Sequence, residues 1–176
     1  VGDNQDDAQE EVDRLVREEN MTLIPPFDHP DIIAGQGTLG LEIFDNLPEL
    51  DLAIVPLSGG GLISGVAKAI KSKNSKCKVI GVSMEKGAAM YQCQKAGKPI
   101  FVREEKTIAD ALGGGIGLDN QYTFEMTRNL VDNIILVSES EILAGVKHAY
   151  WEEKQIVEGS GAVAIAALIS KKIILK

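Results

Sequence analysis

With 176 residues, 44% of them hydrophobic, the chain can fill the core of one main domain, and a formal net charge of −8 argues against a nucleic-acid partner, whose phosphates attract basic faces. Cys77 and Cys93 stand at no metal-ligand or redox spacing and read as buried or incidental thiols in a reducing compartment. No apolar run reaches bilayer length and Val1-Gly2-Asp3-Asn4 does not resemble a signal peptide, so the expectation is a soluble cytoplasmic protein without membrane contact.

Ala8, Val12, Leu15 and Val16 recur at helical spacing, which predicts an amphipathic helix over 5–19 with Asn4 as its cap. Met21-Thr22-Leu23-Ile24 reads as a short strand. Pro25-Pro26-Phe27-Asp28-His29-Pro30 is a loop that continues neither element. Gly35-Gln36-Gly37-Thr38 leads into a helix carrying Leu39, Ile43, Phe44 and Leu47, ended by Pro48. There follow a strand from Leu52 to Leu57, a helix from Leu62 to Lys73, a strand over 79–82 and a helix from Ala88 to Ala96 that Gly97 and Pro99 stop. The strands are continuous apolar runs, as in a parallel sheet covered by helices on both faces.

From Phe101 to Thr127 the pattern loosens around Gly113-Gly114-Gly115-Ile116-Gly117, where so many glycines imply backbone close to something. Asn133 to Val137 is another strand, and Ser138-Glu139-Ser140-Glu141 has capping-box spacing before the apolar stripe Ile142, Leu143, Val146, Ala149 and Tyr150. Glu158-Gly159-Ser160-Gly161 breaks the chain before an Ala-rich buried helix from Ala162 to Ile169, and Lys171 to Lys176 begins a further strand. The abrupt start and stop lead us to expect a piece of a larger protein.

The stretch most telling about function is Gly59-Gly60-Gly61, set between an apolar strand and a helix start. Three residues without Cβ let the backbone approach an anion, and the unpaired amides and dipole of the following helix favour negative charge. A phosphorylated ligand is the functional reading; a tight turn without ligand is the plain one. Gly59, Gly61 and Gly65 with Glu85 also suggest a dinucleotide site, but Ser64 stands where the fingerprint wants its third glycine, and three adjacent glycines make a wider cup suited to a terminal phosphate.

Five ordered stretches resemble the threonine dehydratase and serine racemase family of pyridoxal-phosphate enzymes: Pro26-Phe27-Asp28, Ile33-Ala34-Gly35-Gln36-Gly37-Thr38, Val55 to Leu62, Thr107-Ile108-Ala109-Asp110 and Val157 to Ala162. The resemblance implies fold type II: a large three-layer α/β domain over 21–176, truncated at both ends, with 1–20 as the helical remnant of a small domain. It implies pyridoxal 5′-phosphate as cofactor, its phosphate bound by Ser58, Gly59, Gly60, Gly61 and Leu62, with Ala111 where a cofactor-facing glycine is usual and Glu158 beside the ring. Ser58 replaces the family's commoner first glycine. The implied activity is conversion of a β-hydroxy amino acid such as threonine or serine to a keto acid and ammonia by a homo-oligomer.

The family's Ser-x-Lys-x-Arg-type motif, which carries the Schiff-base lysine, is missing, so no catalytic residue is expected in this chain and the fragment alone should be inactive. Where the racemase branch holds a divalent cation, this sequence has Ser83, Gly87 and Ala89, and no metal is expected. The stretches 81–90 and 112–120 look closer to the dehydratase-like branch of hydroxyectoine utilisation. His29 and His148 receive no role. The alternative is a noncatalytic anion- or nucleotide-binding Rossmann-like module.

Overall fold

Three parallel strands in the order β1-β2-β3 form the centre of the molecule: β1 (Leu52–Pro56), β2 (Lys78–Met84) and β3 (Asn133–Val137). The computed structural model describes Gly2 and residues 5–175, the side chains of 5–7 excepted. Seven helices accompany the sheet among these residues: α1 (Gln5–Glu19), α2 (Pro30–Asn46), α3 (Gly61–Lys73), α4 (Ala89–Ala96), α5 (Thr123–Leu130), α6 (Glu139–Trp151) and α7 (Gly159–Ile169). Asn4 lies outside the described residues.

The alternation of side chains along each strand splits the core in two. Ala53, Val55 and Val79 face a cluster built with Ile63, Val66 and Ile70 of α3 and Met90 and Cys93 of α4. Ile54, Ile80, Val82 and Val137 face Ile142 of α6 and Val163, Ala166 and Ala167 of α7. The architecture is therefore α/β with three layers, a parallel sheet between two helical ones, as the apolar strand runs imply. Among the described residues no helix is long and apolar enough to cross a membrane.

Five segments differ from the sequence reading. Helix α2 begins at Pro30, not after Gly37, because Pro suits a first helical position and His29 Nδ1 accepts the Asp31 N–H at 3.2 Å. Its glycines serve packing: a Cβ on Gly40 would lie 2.8 Å from the Val66 carbonyl oxygen, and a Cβ on Gly65 would overlap the Ile33 carbonyl oxygen, so α2 and α3 approach backbone to backbone. Met21 to Ile24 forms no strand, since a strand needs a hydrogen-bonded neighbour and these residues lie exposed, Ile24 at 75%. Residues 171–175 likewise run as turn and coil and join no strand ladder, although Ile173 is buried beside Val82 and Val137. Finally, α7 starts at Gly159, with Glu158 as its cap, and α5 occupies a stretch that read as irregular.

Candidate functional site

The loop between β1 and α3 carries the turn that the glycines foretold. Leu57 extends β1 by donating its N–H to the Val82 carbonyl at 2.8 Å, and is buried. Gly60 then turns the chain with φ +92° and ψ −4°, a left-handed geometry that L side chains resist. No side chain caps α3, and the first amide to enter its ladder is that of Ser64, bonded to the Gly60 carbonyl at 3.0 Å. The N–H groups from Gly59 to Ile63 find no acceptor among the described residues, and they lie at the positive end of a helix dipole.

This loop is held from two sides. A Cβ on Gly59 would lie 2.6 Å from the Phe27 ring, and one on Gly61 would lie 3.0 Å from Phe27 Cβ. On the other side, a Cβ on Gly60 would lie 2.9 Å from Met90 Cε and 3.0 Å from Thr127 Oγ1. All three positions therefore tolerate only glycine. The Thr127 hydroxyl is buried without a partner among the described residues.

Above the loop opens a cavity of 390 Å³, bounded by Ser58 to Ile63, by Phe27 and Gln36, and by a facing wall at Ala111, Leu112, Gly113 and Gly115. The structure thus gathers Ser58, Gly59, Gly60, Gly61, Leu62 and Ala111 around one space. Glu158 is not among the lining residues: its carboxylate accepts the Ser160 and Gly161 N–H groups at 2.6 and 2.5 Å as the cap of α7. Phe27 and Gln36 join the site unforeseen, because a sequence does not say which surface a loop or helix face lies against.

The facing wall has little regular structure and is fixed by side chains from elsewhere. Glu139, at the start of α6, accepts the Thr107 hydroxyl at 2.5 Å and the Ile108 N–H at 2.8 Å. Gly159 abuts the Ile108 carbonyl so closely that a Cβ there would overlap it. A 3₁₀ turn, Asp110–Leu112, follows and delivers Ala111 to the cavity. Below β2, Lys172 Nζ meets Glu141 at 2.8 Å, the Leu136 carbonyl at 2.8 Å and Glu85 at 3.4 Å. Glu85 is thus engaged in an ion pair. Burial pushes the Cys77 and Cys93 thiols up, which keeps them protonated and unreactive.

Residues 1–176 match the family model described as pyridoxal-phosphate dependent enzyme. The chain belongs to this family. It is 44% identical over 172 residues to a catabolic L-threonine dehydratase of Escherichia coli, covering 98% of this chain and 52% of that protein. A Sinorhizobium fredii protein named as a candidate threonine dehydratase is 56% identical over 173 residues, covering 98% and 52%. Among solved structures, processed threonine deaminase isoform 2 of Solanum lycopersicum superposes with a TM-score of 0.87 at 36% identity, covering 98% of this chain and 51% of that one. The chain spans about half the length of the curated relatives it matches.

Proposed function

We propose that the full-length protein is a pyridoxal-phosphate-dependent ammonia-lyase acting on threonine or serine, and that this chain supplies the cup for the cofactor phosphate. The observation carrying this reading is the glycine loop. Its amides are unpaired, its helix is uncapped, and all three glycine positions crowd any added side chain, so a row of unpaired N–H donors borders the cavity. That donor set fits a phosphate dianion. Gly59 to Leu62 would hold it through backbone N–H groups, with the Ser58 hydroxyl as a further donor. Phe27 and the Ala111–Gly113 wall would keep water off the bound group. When bound, the cofactor supplies an electron sink for the charge left at the substrate α-carbon.

The Schiff-base lysine is, in this reading, contributed from outside this chain; the described residues lining this cavity and the neighbouring one include no lysine. In this reading Glu158 acts at a remove from the phosphate, by fixing the N-terminus of α7 whose Gly159 braces the Ile108 segment. The metal positions of the racemase branch would hold no cation here: Ser83 points its hydroxyl at Met84 Sδ, 3.3 Å away, and Ala89 offers no ligating side chain.

Gly60→Asp in the full-length enzyme tests the reading. The new carboxylate meets Met90 and Thr127 in a left-handed position and places negative charge against the phosphate, so cofactor dissociation should rise by about 100-fold or more. Retention at the parental level, measured by dialysis and cofactor absorbance, means that the loop is only a turn. Keto-acid release from threonine and from serine decides the substrate.

A further inference from the structure

We infer that Asp28 is a positioning residue for the cofactor cup: its carboxylate ties the loop that carries Phe27 to the N-terminus of α5, and so sets the two surfaces that hold Gly59 to Gly61. The inference rests on the proposed phosphate cup. Asp28 Oδ2 accepts the Gln121 N–H at 2.7 Å, and Oδ1 accepts those of Tyr122 at 3.0 Å and Thr123 at 2.8 Å. These partners lie 93 to 95 residues along the chain. Helix α5 has no side-chain cap at its own Tyr122, so a distant carboxylate takes that place, acceptor-only and at the positive end of the helix.

A cap alone would concern α5. Two contacts make Asp28 more than that. The residue before it, Phe27, packs its ring on Gly59 and its backbone on Gly61. The helix it caps presents Thr123 and Thr127 to Gly60, where a Cβ would lie 3.1 Å from Thr123 Cβ and 3.0 Å from Thr127 Oγ1. One side of the cup and the support beneath it are therefore joined through a single carboxylate. The loop has little else to hold it: Pro25 and Pro26 have no N–H, and the Phe27 carbonyl bonds only locally, to the His29 N–H at 3.0 Å. Among the described residues, the bonds to 121–123 are the only hydrogen bonds by which residues 21–28 reach another element. If the carboxylate is lost, Phe27 keeps only its apolar packing on the core and α5 only its packing and the Asn120 and Gln94 bonds, so the spacing of the two surfaces about the glycines loosens.

The test uses the full-length protein and four readouts: the dissociation constant for pyridoxal phosphate, the ³¹P resonance of the bound cofactor, thermal unfolding of the cofactor-free form, and amide exchange at 121–123. Asp28→Ala should weaken cofactor binding about tenfold and shift or broaden the ³¹P signal, the scale expected when hydrogen bonds to a charged acceptor are lost. Asp28→Asn keeps one acceptor oxygen and should fall between parent and Asp28→Ala. Phe27→Leu keeps the carboxylate and should weaken cofactor binding while leaving amide exchange at 121–123 unchanged. Parental affinity and an unshifted ³¹P signal in Asp28→Asn, with only a lower melting temperature, would make Asp28 a helix cap and nothing more; this variant also carries the test should Asp28→Ala not fold. Gly60→Asp separates the two readings. If it loses cofactor while the Asp28 variants keep it, the inference about Asp28 falls and the cup stands; if all of them keep it, both fall.

Discussion

The two walls of the cavity are built by opposite means. The path of the glycine loop is set by its neighbours in sequence, a strand that ends at Pro56 and a helix that begins at Gly61, while Phe27, Met90 and Thr127 pack against it from outside. The facing segment, from Glu104 to Tyr122, has one short 3₁₀ turn and depends on carboxylates from far away, Glu139 at Thr107 and Ile108 and Asp28 at 121–123. A wall made of local structure is set once strand and helix form. A wall made of remote side chains is set only when the whole fold is in place, so it can be loosened without unfolding the rest.

The largest effect is expected where the local wall is struck. Gly65→Ala puts a methyl into the Ile33 carbonyl and within 2.6 Å of the Gly37 nitrogen, and backbone on both sides leaves little room to yield. Overpacking of this kind costs about 1–3 kcal/mol, and the α2–α3 contact should open. Gly35→Ala, in the same helix pair, meets nothing within 4 Å and should be neutral or stabilising by about 0.5–1 kcal/mol through helix propensity. Urea midpoints of the two variants check this, and equal losses would show that α2 and α3 are not in close contact.

A smaller effect is expected at the remote wall. Glu139→Ala removes the acceptor of the Ile108 N–H and the Thr107 hydroxyl, at a cost of about 1–2 kcal/mol, because both donors are partly open to water. The diagnostic result is local. Amide exchange at Ile108 and Ala111 should speed up while β1 and α3 keep their protection. Uniform acceleration across the molecule would mean that the two walls form one cooperative unit and that their contrast is only geometric.

The same contrast governs what the sequence revealed. Helix α3 was legible end to end and α6 at its start, because their strands, glycines and the Ser138–Glu141 capping box are written next to them. Helix α5 was not, since its first amides are satisfied by Asp28 and by Asn120 Oδ1, which accepts the Phe124 N–H at 2.8 Å. In α2 the Gly35–Gly37 stretch reads in sequence as lying before the helix, yet it is helical, and a Cβ on Gly37 would lie 3.4 Å from the Gly65 carbonyl oxygen of α3. At the site, the glycine turn before α3 could be read directly, whereas Phe27 and Gln36 could not. Glu158 entered only through family resemblance, and its capping of α7 was hidden because glutamate is not among the favoured cap residues.

The least effect should come from a third tie, again remote, between Lys172 and Glu141. Burial works to raise the Glu141 carboxyl, but the Lys172 ammonium and the Ser138 N–H and hydroxyl outweigh it and hold the group below its ordinary 4.5. A carboxyl depressed by folding adds stability above its unfolded pKa, and that stability is lost as the pH falls through the folded value. Lys172 runs the other way: burial lowers it, yet Glu141 and Glu85 together hold it above its ordinary 10.5, so its share is present below that value and fades as the pH rises past it. Between the two limits stability should be flat with respect to this pair. Glu141→Gln isolates the charge, since glutamine still serves a capping box. The variant should lose on the order of 1 kcal/mol near neutral pH, as partly exposed pairs do, and should match the parent once the pH has fallen through the parent's lowered carboxyl range, where that group is also neutral. Melting temperatures from pH 3 to 8 would show curves that converge on the acid side. Parallel curves would place the loss in the hydrogen bonds of the cap, and the ion pair would then add nothing to the region where β3 meets α6.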